Sequence, residues 1–242
     1  MNPGMIAFAA CALAAAVYSL LQTGYLHLNY PSPERFPVRG IDVSQHQGEI
    51  DWPLVKAQGF HFAFIKATEG GDHVDTRFSN NWKGARAAGI FTVAYHFYRF
   101  CKPGFEQAKN FIRTVPADPK ALPIVLDLEF GGNCNHEVPV AELVREVGDF
   151  VQTVEKVHSQ TPIFYATPEF YERYLKYHAH LFPKHTLWIR NVYYEPRQED
   201  CEEWGFWQFA NRGRLDGISG PVDLNVYCGS IGRFSVIFGV KI

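Results

Sequence analysis

The stretch LPIVLDLEFGG, Leu122 to Gly132, runs five strand-compatible apolar positions into Asp127, Leu128 and Glu129 and then turns at two glycines. Side chains alternate faces along a strand, so Asp127 and Glu129 point to one side and Leu128 to the other. Two acids on one face repel. Taken alone the pattern also fits a solvated strand end with both acids paired to nearby Lys or Arg, and what separates the two readings is what the neighbouring strands carry.

Eight β-rich runs bounded by turn residues can be read along the chain: VRGIDVS, FHFAFIKAT, FTVAYHFYRF, LPIVLDLEF, TPIFYAT, HTLWIRNVY, WGFWQFAN and VDLNVYCG. Helix-like segments follow the first five, over Trp52–Gln58, Arg77–Ala88, Gly104–Val115, Val140–Val157 and Glu169–His178. Asp51-Trp52-Pro53 marks a helix start, and Gly59 and Gly89 mark helix ends. Short polar links join the last three strands. The alternation predicts a parallel sheet, and the count predicts an α/β, irregular TIM-like barrel of five βα units followed by three β-strands. In such barrels the active site lies at the C-terminal ends of the strands. Polar groups gather at those ends here: Asp42, Glu69, Tyr95 with His96 and Tyr98, Asp127 with Glu129, Tyr165, Trp188 with Arg190, and Gln208 and Asp223 in the last two strands.

The chain of 242 residues is 47% hydrophobic and 15% aromatic, enough for a packed core with aromatics to spare for a cleft. A formal net charge of -2 supplies no basic footprint for a phosphate backbone, so nucleic acid is not an expected partner. Residues 5 to 24, MIAFAACALAAAVYSLLQTG, are uncharged, and the first Lys or Arg is Arg35. This run reads as an export segment, either a cleaved signal peptide or an N-terminal anchor close to the ~20 residues that span a bilayer. The expected organisation is residues 1–24 as signal or membrane tether, 25–37 as a Pro-containing linker and 38–242 as the barrel. Location would then be periplasmic, membrane-anchored or extracellular. Four cysteines follow the export segment, Cys101, Cys134, Cys201 and Cys228, and an exported chain favours disulfides. Of the three possible pairings, Cys101 with Cys134 and Cys201 with Cys228 is the one expected.

The motifs GIDVSQHQGEIDW, FAFIKATEG, AYHFYR, VLDLE, IFYAT, LWI, FWQF and VDLNVY, in this order between Gly40 and Gly229, resemble the glycoside hydrolase family 25 lysozymes, the Chalaropsis-type N-acetylmuramidases. The resemblance implies the same five-βα-plus-three-β barrel and cleavage of the β-1,4 bond after N-acetylmuramic acid in peptidoglycan glycan strands. It places the acidic cluster on Asp42, Asp127, Glu129 and Asp223, with Glu129 as general acid. Crowding by other carboxyls should raise the pKa of Glu129 and keep it protonated near neutrality while Asp127 stays ionised, as a base through a water or as the partner of the substrate's 2-acetamido group. Tyr95, Tyr165, Trp188 and Gln208 match the cleft, with Trp188 and Trp207 as candidate sugar platforms. Arg190 departs from the family, which usually has a small residue there; the cation either clamps a substrate carboxylate or lowers the pKa of Glu129. The polar insert GGNCNHEVP is a second departure.

Two rivals have their own signatures. Asp42, His96, Asp127 and Glu129 could ligate a metal, but the chain lacks H-x-H and H-E-x-x-H spacing, so neither a metal nor a cofactor is expected. A wall-binding domain without turnover would keep the barrel and cleft. A monomer is the expected state.

Overall fold

The computed structural model describes residues 2–26, 28–118, 123–134, 138–178, 185–196 and 204–239. Its strands are β1 (Arg39–Val43), β2 (Phe60–Glu69), β3 (His73–Val74), β4 (Phe91–Phe97), β5 (Val125–Leu128), β6 (Ile163–Ala166), β7 (Leu187–Arg190), β8 (Trp204–Gly213) and β9 (Val222–Tyr227). All but β3 are staves of a closed barrel in the order β1-β9-β8-β7-β6-β5-β4-β2, sealed by a β1–β2 pairing. Every neighbouring pair from β1 through β2 and β4 to β8 is parallel. β9 runs antiparallel to both β8 and β1. That reversal matters for the site: it sets the first residues of β9 at the same barrel end as the last residues of the parallel strands.

The expected five-plus-three order is present. The helices after the first five staves are α2 (Trp52–Ala57), α3 (Phe78–Ala87), α4 (Gly104–Thr114), α5 (Val140–His158) and α6 (Pro168–Phe170), which continues as a π-helical turn, Tyr171–Leu175. Local chemistry starts them where the sequence suggested. The Asp51 side chain accepts from Leu54 N at 3.1 Å with Pro53 in the first turn, and Thr167 Oγ1 accepts from Phe170 N at 3.4 Å ahead of Pro168. The hairpin strand β3, the apolar helix α1 (Pro3–Thr23) and a terminal helix α7 (Ile231–Phe238) complete the described elements.

Two apolar clusters result from strand alternation. The inward one contains Phe62, Phe64, Val93, Val125, Ile163, Trp188 and Phe206, closed at its base by Phe234 of α7. Gly40 belongs to this interior because a Cβ there would sit 2.2 Å from the Phe62 ring. The outward one lies between the staves and the helices and includes Ile41, Ile65, Leu126, Phe111, Val147 and Phe150. The expected linker is not detached from the barrel: Phe36 is buried, its ring 6.4 Å from that of Trp204 and 5.7 Å from that of Trp207.

Candidate active site

Asp42 lies directly opposite Asp223 in the β1–β9 register, and Asp127 lies opposite Tyr165 in β5–β6. Glu129 follows one residue after β5. Strand alternation therefore brings acids distant in sequence to the same end of the barrel interior. A set of neutral polar side chains holds them. Gln208 Nε2 donates to Asp42 Oδ2 at 2.8 Å and to Asp223 Oδ2 at 3.1 Å, while its Oε1 accepts from the Tyr165 hydroxyl at 3.0 Å. Asn225 Nδ2 donates to Asp42 Oδ2 at 2.7 Å, and its Oδ1 accepts from Trp188 Nε1 at 2.8 Å. The chain of contacts Trp188–Asn225–Asp42–Gln208–Tyr165 leaves Asp42 little freedom.

Electrostatics follow from enclosure. Burial pushes Asp42 up against the opposing effect of its Asn225 and Gln208 hydrogen bonds, and burial together with Asp42 holds Asp223 well above the usual carboxylate range. Asp127 is 7% exposed, its Oδ1 is buried without a hydrogen-bond partner, and burial reinforced by Glu129 holds it well above that range too. Glu129 is raised to about 6 by burial, with Arg190 pulling down and Asp42 pushing up. Burial thus opposes ionisation of both carboxyls, and Asp127 is the more enclosed of the two.

The charge of Arg190 opposes the rise of Glu129, Asp42 and Asp223 alike. Tyr95 faces the same carboxylates, and burial with the charge of Asp42 raises its hydroxyl far up. Trp188 sits lower than expected of a sugar platform: it is 2% exposed and stacks on Phe64 at 3.9 Å. Trp207 is fully buried on the outward side, with Nε1 donating to Asn191 O at 2.8 Å. Gln208, 2% exposed, positions the acids. His96 is not brought to the carboxylates. It points outward, with Nδ1 2.7 Å from Thr68 Oγ1 and Nε2 3.1 Å from Gln107 Oε1, and burial lowers it to about 4.

Three contributors escaped the sequence reading. Asn225 shares a face with Asp223 at i and i+2, which the alternation in VDLNVY does signal. Lys66 follows Phe62 and Phe64 on the inward face, pairs with Glu69 at 2.7 Å, and lowers both Asp127 and Glu129. Asn133, in the polar insert, donates from Nδ2 to Glu129 O at 2.9 Å and to Tyr98 O at 2.7 Å, while Oδ1 accepts from Phe100 N at 3.0 Å. A Cys101–Cys134 disulfide fastens the same loop. Its expected companion involves Cys201, which lies outside the described residues.

A carboxyl cluster at the mouth of a β/α barrel is suited to cleaving a glycosidic bond, and comparison with known proteins decides the lineage. The family model for glycosyl hydrolases family 25 matches residues 41–218. The chain belongs to glycosyl hydrolases family 25. As a family 25 member it is a glycoside hydrolase of the lysozyme type. Among its relatives is Lysozyme M1 of Streptomyces globisporus, 34% identical over 205 residues, covering 81% of this chain and 69% of the relative. Among solved structures, a family 25 glycosyl hydrolase from Bacillus anthracis superposes with a TM-score of 0.79 at 36% identity, over 90% of this chain and 99% of that one. A bacterial lysozyme from Streptomyces coelicolor gives 0.74 at 32%, over 84% and 98%.

Proposed function

We propose that this family 25 enzyme acts as a monomer on exported peptidoglycan, cutting the β-1,4 bond between N-acetylmuramic acid and N-acetylglucosamine with Glu129 as general acid and Asp127 as partner of the 2-acetamido group. The observation that carries the roles is the split between the two carboxyls: Glu129 is partly exposed with a pKa of about 6, whereas Asp127 is sealed in beside it. A carboxyl of that pKa still holds a proton in part of its population near neutrality and can re-accept it.

Glu129 donates its proton to the glycosidic oxygen as the C1–O bond breaks. The substrate's acetamido oxygen attacks C1 from the opposite face, and the positive charge that develops on the acetamido group meets Asp127. Asp127 acts here as the carboxylate, and because it is desolvated its attraction to that charge is strong, greatest where the charge is greatest, in the transition state. Water then opens the cyclic intermediate, with Glu129 taking the proton back. Asp42 and Asp223, held by Gln208 and Asn225, would orient Asp127 and the acetamido group, and Tyr95 and Tyr165 line the floor. Residues 5 to 24 bring the enzyme to its exported substrate as a signal or a tether.

Mass spectrometry of peptidoglycan digests tests this reading, with Glu129→Gln as the control. Soluble fragments ending in reducing muramic acid from the parent protein, and their loss in the variant, are expected. Binding to insoluble peptidoglycan without soluble products from the parent would overturn turnover in favour of a recognition module.

A further inference from the structure

The N-terminal segment makes contacts that a disposable leader has no need of. Helix α1 has 21 residues, carries no charge, and buries none of its side chains. At 1.5 Å per residue it spans about 30 Å, the thickness of a bilayer's hydrocarbon core. Its last turn supplies no basic residue of its own. The barrel supplies two. Arg214 Nε donates to Thr23 O at 2.7 Å, and Arg212 Nη1 donates to Gln22 O at 3.0 Å and also to the Gln22 side chain. Cations placed on the free carbonyls of a helix C-terminus complement its dipole.

The contact is close as well as polar. Gly24 ends the helix at φ +77°, and a Cβ there would fall 1.6 Å from Arg212 O, so no other residue fits without moving the backbone. Beyond it Tyr25 lies under Arg214, with 5.0 Å from guanidinium carbon to ring centre, and Asn29 Nδ2 reaches Asn191 O at 3.5 Å. Arg35 pairs with Glu195 at 2.6 Å. Arg212 stands near the C-terminal end of β8 and Asn191 just past the end of β7, so residues 22–26 and 28–35 lie along the acid-bearing rim of the barrel. Between the two, Leu21, Leu26 and Leu28 face Arg190, Tyr193 and Phe209 across a cavity of about 430 Å³.

We infer that α1 is a retained membrane anchor capped by Arg212 and Arg214, and that Leu21, Gln22, Leu26 and Leu28 form a wall of the cleft beside Arg190, holding the mouth of the barrel at the membrane surface. The bilayer is the occupant that fits α1, which is apolar on every side and uncovered except where its end meets the barrel. Export decides only whether the chain leaves the cytoplasm. The capped strap decides that it stays attached and which end faces the lipid.

Two measurements on the full chain test this, and neither reads hydrolysis, so they stand or fall apart from the muramidase reading. Membranes from expressing cells are washed with alkaline carbonate, and the retained protein is weighed by intact mass spectrometry. The expected result is a pelleted chain whose mass includes residues 1–24. A soluble chain, whether truncated in that segment or self-associated through α1, overturns the anchor. Hydrogen exchange in lipid nanodiscs then compares the parent with Arg212→Ala/Arg214→Ala. Amides of residues 25–36 should exchange at least ten-fold faster in the variant while those of β5 are unchanged. Equal rates in the two proteins overturn the strap. Should the variant lose protection in β5 as well, the parent alone decides: residues 25–36 exchanging as fast as an unstructured peptide overturn it.

Discussion

The two ends of the barrel interior are built from the same inward-facing strand positions and do opposite work. At the base, Phe62, Phe206, Tyr227 and Phe234 pack ring against ring, with Phe62 to Phe206 at 5.2 Å and Tyr227 to Phe234 at 5.1 Å. At the mouth, Gln208 stands two residues beyond Phe206 in β8 and Asp223 four residues before Tyr227 in the antiparallel β9, with Asp42 and Asp127 near the ends of β1 and β5. Burial at the base stabilises the fold, whereas burial at the mouth raises every carboxyl and costs stability. The reactive end is affordable because the aromatic end over-compensates within one continuous set of staves.

That contrast can be broken from either side. The largest effect is expected at the mouth: Glu129→Gln should reduce turnover by roughly 10²- to 10⁴-fold, measured as release of reducing ends. The same change should raise stability. The folded protein binds this proton more tightly than the unfolded chain, 6 against 4.5, so the parent loses stability as pH rises through that window. Above it the variant should be about 2 kcal/mol more stable by urea titration, and the gap should close near pH 4. At the base, Phe206→Ala should cost about 3–5 kcal/mol by the same titration without moving the pH profile of the folded enzyme. An altered pH profile would mean that the two ends are not separable.

A smaller loss, about 1–3 kcal/mol, is expected for Gly40→Ala, because the added methyl meets the Phe62 ring and the well-packed interior must shift. The subtlest change is Arg190→Gln. Arg190 lowers Glu129, so its removal raises the pKa of the acid, and the alkaline limb of the pH–activity profile should move to higher pH. A limb that moves down or stays in place would mean that the cation serves the substrate rather than the acid.

Much of this was legible in the chain itself. Strand alternation put Asp127 and Glu129 on one face, five helical segments were visible, and the first two ended just before Gly59 and Gly89. The fifth differed: Glu169–His178 reads as one helix, but only Pro168–Phe170 is α-helical before the backbone widens into a π turn. The aromatic platforms were less legible, since Trp188 and Trp207 differ by burial and not by type. Asn225 and Lys66 were visible as polar residues on inward faces but gave no sign of their partners.

By itself the sequence determined the number of staves, their order and which side chains share a face, because these depend on local periodicity. Tertiary structure alone decided three things. It turned β9 antiparallel, which lifts Asp223, second in its strand, to the mouth opposite Asp42. It sealed Asp127 more deeply than Glu129 and raised both carboxyls by burial. It also laid residues 22–26 and 28–35 along the rim. Each depends on which distant atoms exclude water from a given group, a property of the closed barrel that no window of neighbouring residues contains.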